Sequence, residues 1–228
     1  MIYREVGTTA VEMSILALGG HEYLPDGRSR GFNEDPRLAA RPGYIFDGFG
    51  GDKRKQVLAA AFAHGINFLD VTMDSEKEAL GRNLKEILPR YEIYIQTRPE
   101  GMVYGYDEFN AKMAQYELIK AEVQRGLRLL QREHLDFLNL GFMRSALYHD
   151  PEYLDKIAYN VEALKREGLI RFACADTFSG EEVYLRQIEA GCFDAIYINF
   201  RACFESYVHL QAVQPTGPRP GYVPGGAA

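Results

Sequence analysis

Short apolar runs alternate with amphipathic stretches along most of the chain. The runs are rich in β-branched residues and show no polar alternation, which is typical of strands buried on both faces. Six strands are predicted, at 15–18, 67–70, 93–97, 137–140, 170–173 and 195–199. Helical patterns are predicted between them, at 52–64, 76–88, 108–131, 151–167 and 180–190. Because parallel strands need such crossovers, this order indicates an α/β fold with a parallel sheet.

Residues that favour helix ends support these boundaries. Asp107 precedes the longest helical pattern and is predicted to cap it, and Ser179 followed by Glu182 resembles a capping box. Three glycines follow helical patterns where a left-handed residue is common, namely Gly65, Gly168 and Gly191.

Two segments interrupt the alternation. Residues 21–51 are rich in Gly, Pro, Asp and Arg and are predicted to form a functional loop. The end of the chain reads QPTGPRPGYVPGGAA, a composition that favours flexibility. We therefore expect one barrel domain over residues 1–211 and a flexible Pro/Gly-rich tail over residues 212–228.

Composition narrows the classes of partner. The 228 residues include 26 Lys and Arg against 32 Asp and Glu, giving a net charge of -6. The basic residues alternate with acidic ones and form no basic stripe, so nucleic acid is not an expected partner. No apolar run reaches the roughly 20 residues that span a bilayer, and the first residues lack signal-peptide features. We expect a cytoplasmic protein with no membrane partner.

The cysteines and one histidine are the candidate metal ligands of the sequence. The three cysteines, Cys174, Cys192 and Cys203, lack the CxxC spacing of a zinc site and are predicted to be small hydrophobic residues. His21 and Glu22 supply two candidate ligands, fewer than a three-ligand metal site needs. No metal is therefore predicted.

Five segments resemble the aldo-keto reductases, in the order that the family has them. They are REVGTTAVEMSILALGG, GINFLDVTMDSEKEALGRNLK, RGLRLLQREHLDFLNLGFMR, EGLIRFACADTF and FDAIYINFR. The resemblance extends to about residue 205 and implies a TIM-type (β/α) barrel. Because the family's seventh and eighth strands have no visible counterpart after Val213, the barrel is predicted to be incomplete, with about six strands.

The family's catalytic set is Asp, Tyr, Lys and His, and it is only partly matched. Asp70 matches the aspartate, but no tyrosine follows it. Arg98 occupies the lysine's place, and an arginine with a pKa above about 12 does not replace a lysine in tuning a tyrosine. An ungapped alignment places Arg144 at the histidine, with His149 as the nearest substitute.

The resemblance also places the family's nicotinamide contacts. These positions are Asp176, Thr177 and Tyr197, which differ from the family's residues. The loops that hold most of the dinucleotide phosphates follow the two missing strands. We therefore expect no cofactor, with NADP as the alternative.

Polar side chains at the carboxyl ends of the predicted strands are expected to converge on one mouth. They are His21, Glu22, Asp70, Arg98, Glu100, Arg144, Asp176, Tyr197 and Arg201. Arg98, Arg144 and Arg201, together with Asp176, are predicted to bind a small anion such as a carboxylate or phosphate. The competing interpretation is an internal ion network, in which these arginines pair with Asp70, Glu100 and Asp176.

Three functions stay open at this point. The first is a non-redox enzyme of elimination or isomerisation type acting on a small anion, with Asp70 as base and Tyr197, Glu22 or His21 as acid. The second is a non-catalytic binding protein, with a homo-oligomer covering the open barrel edge. The third is an NADP-dependent oxidoreductase that uses His149 or a loop tyrosine.

Overall fold

The computed structural model describes residues 1–7, 9–103, 106–198 and 221–224. The chain opens with an antiparallel hairpin of β1 (Tyr3–Glu5) and β2 (Glu12–Ser14). The other strands form one parallel sheet in sequence order. They are β3 (Leu18–Gly19), β4 (Phe68–Val71), β5 (Tyr94–Thr97), β6 (Leu135–Asn139), β7 (Ile170–Ala175), β8 (Ala195–Ile198) and β9 (Gly221–Pro224).

Helices connect the successive strands from β3 to β8. They are α1 (Pro36–Ala39), α2 (Asp52–Ala63), α3 (Asp74–Asn83), α4 (Tyr116–Leu130), α5 (Arg144–His149), α6 (Tyr153–Arg166) and α7 (Glu181–Ala190), with a 3-10 helix at Glu108–Asn110. The strands β3 to β8 curl into an open barrel wall. This confirms the prediction of an incomplete (β/α) barrel with about six strands.

The first predicted strand is shifted. Only Leu18 of the predicted range 15–18 lies in β3, because the Ile15 amide donates to the Ile2 carbonyl at 3.0 Å and so belongs to the hairpin side. Ile15 and Leu16 are 50% and 58% exposed. Apolar residues beside an edge strand therefore resembled a buried strand in the sequence.

A strand in the tail was missed. Gly221–Pro224 pairs in parallel with β8, with Ala195 opposite Gly221 and Ile198 opposite Pro224. The expectation that nothing after Val213 corresponds to a further strand is wrong for these four residues. Glycine and proline disfavour strand interiors but are tolerated at edges, which explains why composition concealed this strand. The domain boundary at residue 212 stays a prediction.

Two helix-start predictions are also wrong. The Asp107 carboxylate accepts a hydrogen bond from the Lys112 amide at 2.7 Å, and α4 begins only at Tyr116. The N-cap residue of α7 is Gly180, while the Ser179 hydroxyl accepts a bond from the Arg144 amide at 2.9 Å. The three glycines predicted beyond helix ends are confirmed, with φ values of 80°, 72° and 65° at Gly65, Gly168 and Gly191.

Strand alternation divides the barrel interior into two layers. The lower layer is aromatic, with the Phe137 ring 6.0 Å from Phe68 and 5.0 Å from Phe172. The hairpin packs against this layer through Val6, Val11 and Met13. Two residues further along each strand, alternation places a polar layer of Asp70, Gln96, Asn139, Cys174 and Tyr197. The barrel mouth therefore lies directly above buried polar side chains.

In the part of the chain that the structure describes, no helix combines the length and apolar character needed to cross a membrane.

Candidate active site

A cavity of about 890 Å³ opens at the carboxyl ends of β3 and β4. The loop of residues 21–51 and the start of α2 form its other walls. We call it the mouth cavity. Its charged lining residues are His21, Glu22, Arg30, Asp52, Lys53, Arg54, Asp70 and Arg98. Four predicted site residues, His21, Glu22, Asp70 and Arg98, thus meet at one cavity.

His21 is paired with a buried carboxylate. Its Nδ1 lies 2.6 Å from Glu76 Oε1, and the side chain of His21 is 41% exposed whereas that of Glu76 is 1% exposed. The hydrogen bond to Glu76 raises the pKa of His21 above 6.5, although burial acts in the opposite direction. The imidazole is therefore biased towards its protonated form at the edge of the cavity.

Glu76 is fixed by the start of α3. Its Oε2 accepts hydrogen bonds from the amides of Thr72 at 2.7 Å and Met73 at 3.2 Å. A Cβ on Gly20 would lie 2.7 Å from the same oxygen, so glycine is needed beside this carboxylate. Glu76 is not among the site residues predicted from the sequence, although a glutamate in the first turn of a helix is a recognisable capping signal.

Asp70 has a neutral partner. Its Oδ1 accepts a hydrogen bond from Gln96 Nε2 at 2.6 Å. Burial raises the pKa of Asp70, and the nearby charge of Arg98 opposes this only in part. The cost of desolvating this carboxylate is thus larger than the attraction of Arg98.

Arg98 and Asp176 form an ion pair across the mouth, with 2.9 Å between Arg98 Nη1 and Asp176 Oδ2. One pair of the predicted ion network is thus present. Glu100 does not join it, because its carboxylate accepts bonds from the amides of Asp74 at 3.1 Å and Gly101 at 3.3 Å, behind the barrel wall. Burial raises the pKa of Glu100 to about 7.

Two other predicted residues serve local structure. Glu22 Oε1 accepts from the Gly50 amide at 2.6 Å, which ties the two ends of the 21–51 loop together. Arg144 is the first residue of α5 and lies 3.0 Å from Glu182 on α7. It is not among the described residues lining the mouth cavity, contrary to the expected convergence. Arg201 lies outside the described residues.

Tyr197 and His149 also lie away from the cavity. The Tyr197 ring is parallel to Phe68 at 6.4 Å inside the barrel, and burial raises the pKa of its hydroxyl well above 10. His149 stacks on Phe109 at 4.1 Å, beside a separate cavity of about 370 Å³. Of the acids considered from the sequence, His21 is the one that both lines the mouth cavity and has a pKa raised towards the protonated form.

Several buried polar atoms above the aromatic layer have no hydrogen-bond partner within the described residues. They are both amide atoms of Asn139, Asp176 Oδ1 and the Tyr197 hydroxyl, which lies near the Cys174 thiol. A nicotinamide carboxamide needs one acceptor and one donor, and Asp176 and Tyr197 offer both. The residues at the positions implied by the resemblance therefore fit this group. Thr177 differs, because its hydroxyl donates to the Phe142 carbonyl at 2.7 Å.

The described residues contain no metal-binding cluster of the kind considered from the sequence. No three His, Cys, Asp or Glu side chains of the described ranges lie close enough together to hold a metal ion. Cys174 is buried, and burial raises the pKa of its thiol well above 9. Cys192 is partly buried, and burial raises the pKa of its thiol to about 11. Cys203 lies outside the described residues.

Solved structures of similar fold are aldo-keto reductases. One is an aldo-keto reductase from Bacillus halodurans in its holo form, with a TM-score of 0.61 and 19% identity, covering 88% of this chain and 58% of that one. A second is glycerol dehydrogenase from Gluconobacter oxydans, with a TM-score of 0.58 and 22% identity, covering 86% of this chain and 54% of that one. The chain thus spans little more than half the length of either.

The family assignment comes from the sequence itself. No curated protein matches the sequence, but the family model for the aldo/keto reductases matches residues 47–182. This match covers more than half of the 228 residues and includes Asp70, Glu76, Arg98 and Asp176. The chain belongs to the aldo/keto reductase family.

Proposed function

We propose that the chain is a non-redox acid–base enzyme that transfers protons on a small carbonyl-containing anion in the mouth cavity. The observation that carries the proposal is the His21–Glu76 pair, which holds a proton-bearing imidazole at the cavity that Asp70 also lines. General acid–base catalysis needs an acid and a base in reach of one substrate, each with a pKa displaced towards its task.

The roles follow from the two environments. Asp70, whose pKa is raised by burial, is the base that removes a proton from the carbon next to the substrate carbonyl. His21 as imidazolium is the acid and donates its proton to the carbonyl oxygen, which gives the enol. If the substrate has a hydroxyl on that carbon, the enol is an enediol. Return of the proton to the former carbonyl carbon, with loss of the proton from the second hydroxyl, then completes an isomerisation.

The same pair supports an elimination. Asp70 takes the carbon-bound proton while His21 protonates a leaving hydroxyl, so a carbon–carbon double bond forms and water leaves. Glu76 acts as a positioning residue, because it holds His21 by Nδ1 and directs Nε2 away from itself.

NADP-dependent carbonyl reduction is the second candidate. It is favoured by the unpartnered atoms of Asn139, Asp176 and Tyr197, which fit a carboxamide. When bound, a nicotinamide supplies the hydride for carbonyl reduction. In that case Asp176 and Tyr197 would hold its amide, and His21 would give the proton to the carbonyl oxygen in place of the absent tyrosine.

Two further predictions belong with this proposal. A homo-oligomer that covers the open edge at β3 would shelter Ile15 and Leu16, and size measurement in solution tests it. The cytoplasmic location and the small-molecule partner are predicted from the sequence. The alternative of a non-catalytic binding protein is tested by the hydrogen-exchange assay, in which it predicts exchange at the buffer rate.

Hydrogen exchange into 2-oxo acids tests the proposal. Wild type is incubated with pyruvate and two longer 2-oxo acids in D₂O, and loss of the proton signal next to the carbonyl is followed by NMR. We expect exchange above the buffer rate, loss of that activity in Asp70→Asn, and a decrease of about 10² in His21→Gln. Exchange at the buffer rate for all three acids contradicts the proposal. Saturable micromolar NADPH binding with carbonyl-dependent oxidation supports the second candidate instead.

A further inference from the structure

The cations of the mouth cavity differ in how their charge is neutralised. Arg98 pairs with Asp176 at 2.9 Å, and Arg30 lies 3.7 Å from Glu22. Arg54 forms no ion pair with any carboxylate of the described ranges, although it is only partly exposed. Its Nη2 donates one hydrogen bond, to the Gly19 carbonyl at 2.8 Å. Most of its five N–H donors therefore stay available.

The nearby acids are already occupied. Glu22 and Glu76 both act on Arg54 through their charge. Glu22, however, accepts from the Gly50 amide, and Glu76 is held by His21 and the start of α3. Burial is the largest influence on Arg54 and lowers its pKa. A guanidinium in this environment lacks the close anionic partner that partly buried charges normally have.

The geometry points to Arg54 as the residue that binds the anionic group of the substrate, a carboxylate or a phosphate monoester. The inference rests on the proposed function, because it concerns the same cavity. A guanidinium recognises both groups with two parallel hydrogen bonds. Lys53, the neighbouring lining residue, adds positive charge, whereas Asp52 at the rim opposes it.

This assignment replaces the arginine cluster expected from the sequence. Arg144 lies against Glu182 on the outside of the mouth, and Arg98 is neutralised by Asp176. The substrate's anionic end is then placed against α2, and its carbonyl faces Asp70 and His21. The inferred substrate class is a small carbonyl compound with one carboxylate or phosphate.

Calorimetric titration at constant ionic strength tests this inference. Wild type, Arg54→Gln and Lys55→Gln are each titrated with pyruvate and with inorganic phosphate, which separates the two anion types. Lys55 is a matched control, since it lies on the same helix but pairs with Glu86 at 2.5 Å outside the cavity. We expect the favoured anion to bind about tenfold or more weakly to Arg54→Gln and within about twofold to Lys55→Gln.

The outcomes are distinguishable from those of the exchange assay. Equal affinity in wild type and Arg54→Gln, or no binding of either anion to wild type at millimolar concentration, overturns the inference. If Arg54→Gln does not fold, Arg54→Lys keeps the charge but loses the paired donors, and an unchanged affinity there overturns it too. Arg54-dependent binding without hydrogen exchange keeps the inference and rejects the proposed chemistry.

Discussion

The mouth cavity and the ion network between α3 and α4 both contain buried charged side chains. In the network each charged side chain has a partner of opposite charge, whereas the cavity contains charged side chains that have none within the described residues. In the network, Asp74 Oδ1 lies 2.9 Å from Lys77 Nζ and Asp74 Oδ2 lies 2.7 Å from Arg125 Nε. Arg125 is in turn paired with Glu122. Burial alone raises the pKa of Asp74, but Lys77, the Gly43 amide and Arg125 together lower it.

Asp70 shows the opposite balance at the mouth. Its hydrogen-bond partner is the neutral amide of Gln96, and burial raises its pKa. Arg54, across the cavity, has no carboxylate partner in the described chain. Asp70 and Asp74 are close in sequence, but their pKa values shift in opposite directions. Asp74 is paired with two cations, whereas Asp70 lines the mouth cavity. The network between α3 and α4 therefore contributes to the stability of the fold, and the mouth cavity is suited to binding a ligand.

The largest effect on stability is expected from breaking the ion network between α3 and α4. Lys77→Met removes one of the two cations paired with Asp74, and also the cation near Glu100, and we expect the free energy of unfolding to fall by about 3–4 kcal/mol. Urea denaturation measures it. Lys55→Met, which removes a more exposed pair, should cost at most about 1 kcal/mol. Equal losses in the two variants would show that burial of the network contributes nothing.

Glu100 gives a pH-dependent effect of the next size. Its folded-state pKa of about 7 lies above the ordinary 4.5, so the folded protein keeps this proton longer than the unfolded chain and loses stability as pH rises from 4.5 to 7. Glu100→Gln should therefore stabilise the protein at pH 8 by up to about 3 kcal/mol and hardly at pH 4. Thermal unfolding at both pH values checks this. The exposed Glu162→Gln is the control, and a stabilisation of Glu100→Gln that is equal at both pH values contradicts the account.

A smaller effect is expected from Glu76→Gln. Without the carboxylate the pKa of His21 falls, because the hydrogen bond to Glu76 is what raises it. Since exchange needs protonated His21, its rate should begin to decline at a lower pH than in wild type. The pH profile of kcat separates this from a general loss of folding, which would lower the rate at every pH without moving the decline.

The smallest effect is predicted for Arg144→Ala. Its ion pair with Glu182 is solvent-exposed, so the loss of stability should stay below about 1 kcal/mol. Hydrogen exchange and anion affinity should be unchanged. A tenfold loss of pyruvate affinity would return Arg144 to the site.

The sequence predicted the barrel well because its buried strands leave a direct signal. The predicted runs 93–97 and 137–140 are buried at every position, and the helical patterns between the runs indicate the parallel order. The edges were harder, because exposed apolar residues at Ile15 and Leu16 resemble a strand and the Gly/Pro-rich β9 does not. The hydrophobic pattern of a sequence indicates which residues are buried, but it does not indicate which strands form the edges of the sheet.

The residues of the proposed site that follow strands were selected from the sequence, and those that lie on helices were not. His21, Asp70 and Arg98 follow or end strands, so convergence at the mouth was foreseeable. Glu76 and Arg54 come from the first turns of α3 and α2, whose direction depends on tertiary packing. Arg144 begins α5, and its side chain pairs with Glu182 on α7 and does not line the mouth cavity.

The most direct test of the account is an NMR titration of the His21 ring, with and without pyruvate. The account predicts a pKa above 6.5 in the unliganded protein and a further rise when the anion is bound, since negative charge in the cavity favours the imidazolium. A pKa at or below 6.5 that pyruvate leaves unchanged would contradict both the His21–Glu76 pair as an acid and the mouth cavity as the site of an anion.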